Sequence, residues 1–342
     1  EAAFDALLKS DSVNHVAEIR RVDGVSRLVI DGEISAPVVY KAKHGATGAV
    51  ETFAGQKLDG SDVRLMVKEI RLGGTPQWPG YWTPEGFDAK GAVQELKNAM
   101  RLAPKSLFLV ALRCTAYPEF TEKEHPEESW RNADGSPVYG TGGSCVATYS
   151  SSGVLDPKTR KWPWPSYASK VYRSAVKSCI RALVAELKAQ GLDKRIVGIH
   201  TCGYHDGQFT APYTDYSEPA KAAYLDYIRS PNCLSTNYAF VAKQAGFFAQ
   251  EEFAREFKRA LGKPAVAVRW CESALSPKRT GALDITSFVQ SDVIDVIVTQ
   301  PNYMQRRPAM PTGCSLPLAS FHLHGKMLWN EFDLRTWGAF ES

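Results

Sequence analysis

Seven short apolar runs recur along the chain, and each stops at polar residues. They are Pro37–Tyr40, Val63–Ile70, Ser106–Leu112, Arg195–His200, Lys263–Trp270, Val293–Val298 and Lys326–Asn330. Runs of this length, bounded by polar residues, predict buried β-strands. Between them lie segments of helical period. Gly91–Met100 carries Val93, Leu96 and Met100. Tyr167–Gln190 carries Val171, Ala175, Cys179, Leu183 and Leu187, with Gly191 as a C-terminal cap. Glu218–Arg229 places Ala222, Leu225 and Ile228 on one face, Phe247–Leu261 places Phe253, Phe257 and Leu261, and Leu283–Phe288 predicts a short helix. Strands alternating with helices imply βα units and a parallel sheet.

Polar groups gather where the runs end: Arg113, His205 with Asp206, Glu272, Tyr303 and Glu331. A doubly wound sheet would hold its ligand at one switch point, and neither a G-x-G-x-x-G nor a P-loop sequence is present. Polar residues at nearly every strand end favour an α/β TIM (β/α)8 barrel. An eighth strand is missing from the pattern, so it is irregular or lies beyond Ser342. Residues 1–36 predict a lead-in segment with a β-hairpin, because Ser26–Glu33 is a strand with a turn signal behind it. Residues 37–342 predict the barrel domain.

At 342 residues with 44% hydrophobic and 23% charged content, the chain has an ordinary globular composition. The net charge of +4 is spread along the chain, which argues against a nucleic-acid partner. No apolar run reaches the ~20 residues needed to span a bilayer. No signal-peptide pattern opens the chain, although it begins at Glu1 rather than Met. Seven scattered cysteines without a CxxC pair argue against a zinc ribbon or a dense disulfide framework. One disulfide in an oxidising compartment is compatible with them, and a periplasmic or secreted location is the expectation preferred over a cytoplasmic one. A homo-oligomer is compatible with all of this.

The run Gly325-Lys326-Met327-Leu328-Trp329-Asn330 passes abruptly into Glu331 and Asp333. A carboxylate at the end of a buried strand is costly unless paired, hydrogen-bonded or used in chemistry. Glu331 is therefore either an ion-pair member or a catalytic group. The long segment Cys114–Ser166 is irregular but rich in aromatics, including Trp130, Trp162 and Trp164. Together with Trp78, Trp82 and Trp329, these indoles offer flat apolar faces suited to the C–H faces of sugars, or they pack as core. His200, Cys202, His205 and Asp206 could form a metal cluster, but their spacing matches no zinc motif, so no metal is expected.

Leu328-Trp329-Asn330-Glu331-Phe332-Asp333-Leu334-Arg335-Thr336 resembles the nucleophile region of clan A glycoside hydrolases. The similarity is greatest to bacterial proteins related to the family 42 β-galactosidases, in which a comparable run follows a segment like Gln300-Pro301-Asn302-Tyr303-Met304-Gln305-Arg306-Arg307. It is specific around Pro301–Arg307 and His324–Thr336, and loose from Val63 onward. It implies a TIM barrel whose nucleophile glutamate ends the seventh strand and whose acid/base glutamate follows the fourth. Counted from Val38, Arg195–His200 is the fourth run and Lys326–Asn330 the seventh. The nucleophile would then be Glu331. The position matching the acid/base is Gln208, which has no acidic proton. Three readings stay open: Asp206 is the acid, Gln208 replaces a glutamate by engineered substitution, or activity has been lost.

The resemblance implies a retaining β-glycosidase acting on oligo- or polysaccharide. Two carboxyl groups about 5–5.5 Å apart would flank the scissile bond, with no cofactor needed. Arg113 would hold Glu331 ionised or form an ordinary ion pair. Tyr303 would hydrogen-bond the nucleophile or pack in the core, and Glu272 would bind sugar hydroxyls or form a structural salt bridge. His205 would bind sugar or tune Asp206, and Asn302, Trp329 and Trp164 would bind substrate. A non-catalytic carbohydrate-binding barrel is the alternative that Gln208 keeps open.

Overall fold

The computed structural model describes residues 4, 6, 12–36, 39–41, 64–74, 79–141, 161–203, 214–271, 289–299 and 323–330, without the side chains of 41, 140, 141, 161, 270, 271 and 330. The chain opens on an antiparallel sheet of β1 (Ala17–Val22), β2 (Val25–Ile30) and β3 (Glu33–Ile34). Both of its turns are Asp-Gly pairs. Asp23 and Gly24 have φ of 50° and 78°, and Asp31 and Gly32 have 54° and 88°. Glycine tolerates that left-handed region and aspartate is among the few other residues that visit it, which is why Asp-Gly is a strong hairpin signal. The sequence pattern predicted β2 but missed β1, whose single buried residue, Ala17, gives almost no apolar alternation.

The main sheet is parallel throughout and follows chain order: β4 (Val39–Lys41), β5 (Leu65–Arg71), β8 (Leu107–Arg113), β11 (Ile196–Cys202), β12 (Val266–Cys271), β13 (Val296–Thr299) and β14 (Met327–Asn330). Two short hairpins lie in the connections, β6 (Trp82–Thr83) with β7 (Gly86–Phe87) and β9 (Tyr139–Thr141) with β10 (Lys161–Pro163). Four α-helices described along their whole length lie outside the sheet: α1 (Ala89–Leu102), α2 (Lys170–Ala189), α3 (Glu218–Ile228) and α4 (Tyr238–Leu261). The architecture is a TIM (β/α)8-type barrel, with seven of its strands among the described residues. Ile196–Cys202 is the fourth of them and Met327–Asn330 the seventh.

Strand alternation divides the apolar residues into two cores. Leu65, Val67, Leu107, Leu109, Val266, Val268, Val296, Val298 and Met327 form the inner one. Ala17, Leu28 and Ile30 of the N-terminal hairpin belong to the same cluster, so the hairpin plugs the end of the barrel where the strands begin. Hydrogen bonds from Ala17 N–H to Pro264 O and from His15 N–H to Lys194 O tie it there. Lys263 donates to Asn14 Oδ1 and to the carbonyls of Asp193 and Lys194 at the same end. Outward residues such as Met66, Ile70, Phe108, Val110, Ile199 and Ile297 meet the helices in the outer core. The inner face is so crowded at Gly198 that a Cβ there would lie 2.3 Å from Leu109 Cδ2 and 2.5 Å from Val266 O.

Each helix begins on a side-chain cap: Asp88, Ser169, Ser217 and Asn237 accept from N–H groups three residues on. On α2 the buried stripe is Tyr172, Val176, Cys179, Ile180, Leu183, Val184 and Leu187, while Val171 is 39% exposed. Of the predicted stripe, Cys179, Leu183 and Leu187 are buried and Ala175 packs against the core; Val171 alone falls off the face, because each four-residue step advances about 400° and drifts about 40°. The predicted face of α3 is also corrected: Ala222 and Leu225 are exposed and Ala220 is its buried residue. That helix lies over α4 rather than over the sheet, with no wide apolar surface to cover. Helix α4 starts at Tyr238, before the predicted Phe247, because Asn237 caps it there. The expected helix at Leu283–Phe288 lies outside the described residues.

Leu28 is 1% exposed in the plug. Leu28→Ala is expected to lower unfolding free energy by about 2–5 kcal/mol. Urea titration followed by tryptophan fluorescence checks this, and one shifted transition is expected if the hairpin and barrel unfold together.

Candidate active site at the C-terminal strand ends

In a parallel barrel the carboxyl ends of all strands open on one face. The inward alternation of β5, Leu65 then Val67, continues to Glu69 and Arg71. On β8 it runs through Leu107, Leu109 and Ala111 to Arg113. Arg71 and Arg113 are register partners, so two guanidinium groups stand side by side at the barrel mouth. Glu69 resolves the repulsion. Its Oε1 accepts from Arg71 Nε at 3.0 Å and its Oε2 from Arg113 Nη2 at 3.0 Å. Burial alone would push this carboxyl up. The charges and hydrogen bonds of Arg113 and Arg71 outweigh it and hold Glu69 down at about 2. The site therefore contains a permanently ionised carboxylate bracketed by two arginines.

The fourth strand supplies His200 and Cys202, both buried, with His200 Nδ1 3.4 Å from Cys202 Sγ. The seventh strand turns Met327 and Trp329 inward, and Trp329 is partly exposed. Beyond β11 the chain returns at Asp215, a buried carboxylate that ties two long connections together. It accepts from Ser166 Oγ at 2.6 Å, Ser217 N–H at 2.9 Å and Arg131 N–H at 3.3 Å. Burial raises its pKa, and these hydrogen bonds only partly oppose the rise.

Of the residues singled out from sequence, Glu331, Asp206, Gln208, His205, Glu272, Asn302 and Tyr303 lie outside the described residues. Arg113 sits at the expected strand end, and among the described residues Glu69 is one of its partners. Trp164 requires a correction. It is 1% exposed and stacked on Trp162 with ring centroids 6.3 Å apart, so it is core rather than a sugar platform. Trp162 and Trp82, at 4% and 7%, are core as well: Trp162 lies in the β8–α2 connection, and Trp82 of β6 packs edge-on against Tyr117 and Phe120 of that connection. Trp329 is only partly buried. Glu69 and Arg71 were missed. Their signal was present as charges two and four residues past Val67, on the inward side of an apolar strand.

Among the described residues no group of three or more His, Cys, Asp or Glu side chains is arranged to hold a metal ion. No described helix is long and apolar enough to cross a membrane.

Glu69 binds its proton only at about pH 2 when folded, against 4.5 for a free glutamate. Its stabilisation is therefore complete above pH 4.5 and is lost as pH falls towards 2. Glu69→Gln, which removes the carboxylate charge shared by two neighbouring guanidiniums, is expected to cost about 3–5 kcal/mol at pH 7. Denaturation at pH 7 and pH 3 checks this, with the gap between variant and parent narrowing at the lower pH.

No family model and no curated protein sequence matches the chain. Among solved structures it is similar to xylanase B from Clostridium stercorarium F9, at 10% identity over 78% of this chain and 61% of that one, TM-score 0.37. It is also similar to an old yellow enzyme homologue from Zymomonas mobilis, at 10% identity over 80% and 70%, TM-score 0.40. A third is an endogalactoceramidase, at 11% identity over 92% and 67%, TM-score 0.43. The chain thus spans less than two thirds of the xylanase's length.

Proposed function

We propose that this barrel is a retaining β-glycosidase with Glu331 as nucleophile. The observation that carries the reading is the inward alternation of Met327 and Trp329 on the seventh strand. A strand that kept its two-residue period one step past Asn330 would bring position 331 to the same inward side. The motif Leu328–Thr336, with its likeness to clan A nucleophile regions, supplies the chemistry. The fourth strand ends at Cys202 on the same face, and the chain reaches His205, Asp206 and Gln208 a few residues later. Asp206, or a glutamate at position 208, would protonate the leaving oxygen and then activate water.

Arg71 and Arg113 give the mouth a positive field, which keeps a nearby nucleophile ionised. Trp329 offers an apolar face for a sugar ring, and His205, Glu272, Asn302 and Tyr303 hydrogen-bond its hydroxyls. The substrate class is an oligo- or polysaccharide with β-linkages, β-galactosides first among them by resemblance to family 42.

Glu331→Gln is expected to lower kcat on aryl β-glycosides by roughly a thousandfold or more with an unchanged unfolding transition. Full residual hydrolysis in that variant removes the assignment. Gln208 favours one second reading, a non-catalytic carbohydrate-binding barrel. Under the glycosidase reading either the parent or Gln208→Glu hydrolyses the substrate. Under the second neither does, while oligosaccharide binding persists.

A further inference from the structure

The connection between β11 and β12 carries a feature that the proposed chemistry does not use. Tyr216, Lys221, Asn237, Tyr238 and Ala239 line an open cavity of about 490 Å³ at the amino ends of α3 and α4. The opposite end of α4 lies at the hairpin side, where Lys188 Nζ and Lys263 Nζ fasten the chain. The cavity therefore opens on the face where the strands end. Tyr216 follows Gln208 by eight residues in the same connection.

The cavity is built on a fixed aromatic stack. Tyr216 lies over Tyr238 with centroids 5.5 Å apart and planes 24° apart, and Tyr224 meets Tyr238 edge-on at 5.1 Å. Tyr238 Oη donates to Asp215 O at 2.7 Å, and Tyr224 Oη donates to Thr236 O at 2.7 Å. Tyr216 N–H donates to Arg131 O at 2.9 Å, while its side chain remains 37% exposed. A ring held this way presents a flat face with little ordering cost on binding. Lys221 is ion-paired with Glu218 at 2.7 Å, so the rim holds a donor without surplus positive charge for a phosphate or carboxylate. A shallow aromatic floor with neutral polar edges suits a pyranose ring, whose C–H face is apolar and whose hydroxyls stay near water.

We propose that the Tyr216–Tyr238 stack is a binding subsite for a neutral sugar unit of an oligosaccharide, beyond the unit at the barrel mouth. Its place as an outer subsite rests on the glycosidase reading; the sugar binding itself does not. The probes are cellohexaose, xylohexaose and β-1,4-galactohexaose, titrated calorimetrically into the full chain carrying Glu331→Gln. At least one hexaose is expected to bind, and Tyr216→Ala to weaken it about tenfold. Tyr216→Trp is expected to restore the affinity. Proton NMR of ring-labelled tyrosine, with the Tyr216 signals shifting on hexaose addition, reads the same contact without a truncation. Equal hexaose affinity with and without the Tyr216 ring, or no binding of any hexaose at millimolar concentration, overturns the subsite. A chain without hydrolytic activity that still binds through Tyr216 removes the glycosidase reading and keeps the subsite. An active chain with Tyr216-independent binding does the reverse.

Discussion

A parallel sheet must be buried on both faces, because each of its strands is flanked by crossovers that cover one side and must find apolar contacts on the other. This constraint organises the molecule. Helices α1, α2 and α4 cover the outer face through Phe108, Val110, Ile199 and their neighbours. The inner face closes on itself through Leu65, Val67, Leu109, Val266 and Val296. Space there is short enough that the fourth strand carries Gly198 where a side chain would meet Leu109 and Val266. One end of this inner column is sealed by Ala17, Leu28 and Ile30. The other end is left for polar groups, and any chemistry belongs there.

At that end the electrostatics follow from register. Placing β5 beside β8 sets Arg71 next to Arg113, an arrangement that is unfavourable without an anion between them. Glu69 meets both and is in turn forced to stay ionised. The result is a polar floor on the second and third strands at the barrel mouth. Asp215 plays a comparable structural part outside the barrel mouth. By joining Arg131, Ser166 and Ser217 it fixes the β8–α2 connection against the segment that carries Tyr216 and Tyr238.

Much of the framework was legible in sequence. The runs that became β8, β11 and β14 carry continuous apolar stretches, and burial on two faces calls for such stretches. Where legibility failed, the physical signal was weak or shared. The strand β1 has one buried residue, so alternation could not reveal it. On α2 only Val171 was misplaced, because a four-residue step overshoots a helical turn. Trp162 and Trp164 look the same in sequence whether they line a groove or fill a core, and only the folding of their connection decided for the core. Of the candidate site, Arg113 at its strand end was legible; its union with Glu69 was not.

The sequence by itself determined the period of each segment, the order of strands and helices, and the clustering of polar residues at strand ends, because these depend on neighbours along the chain. Only the tertiary structure decided which charges meet, which aromatic rings stay open to solvent, and that the hairpin closes the barrel from below. Those outcomes depend on distances between residues far apart in sequence. Glu69 and Arg113 are separated by 44 positions, and Ser166 and Asp215 by 49. Periodicity says nothing about such pairs until the sheet has curled and brought them together.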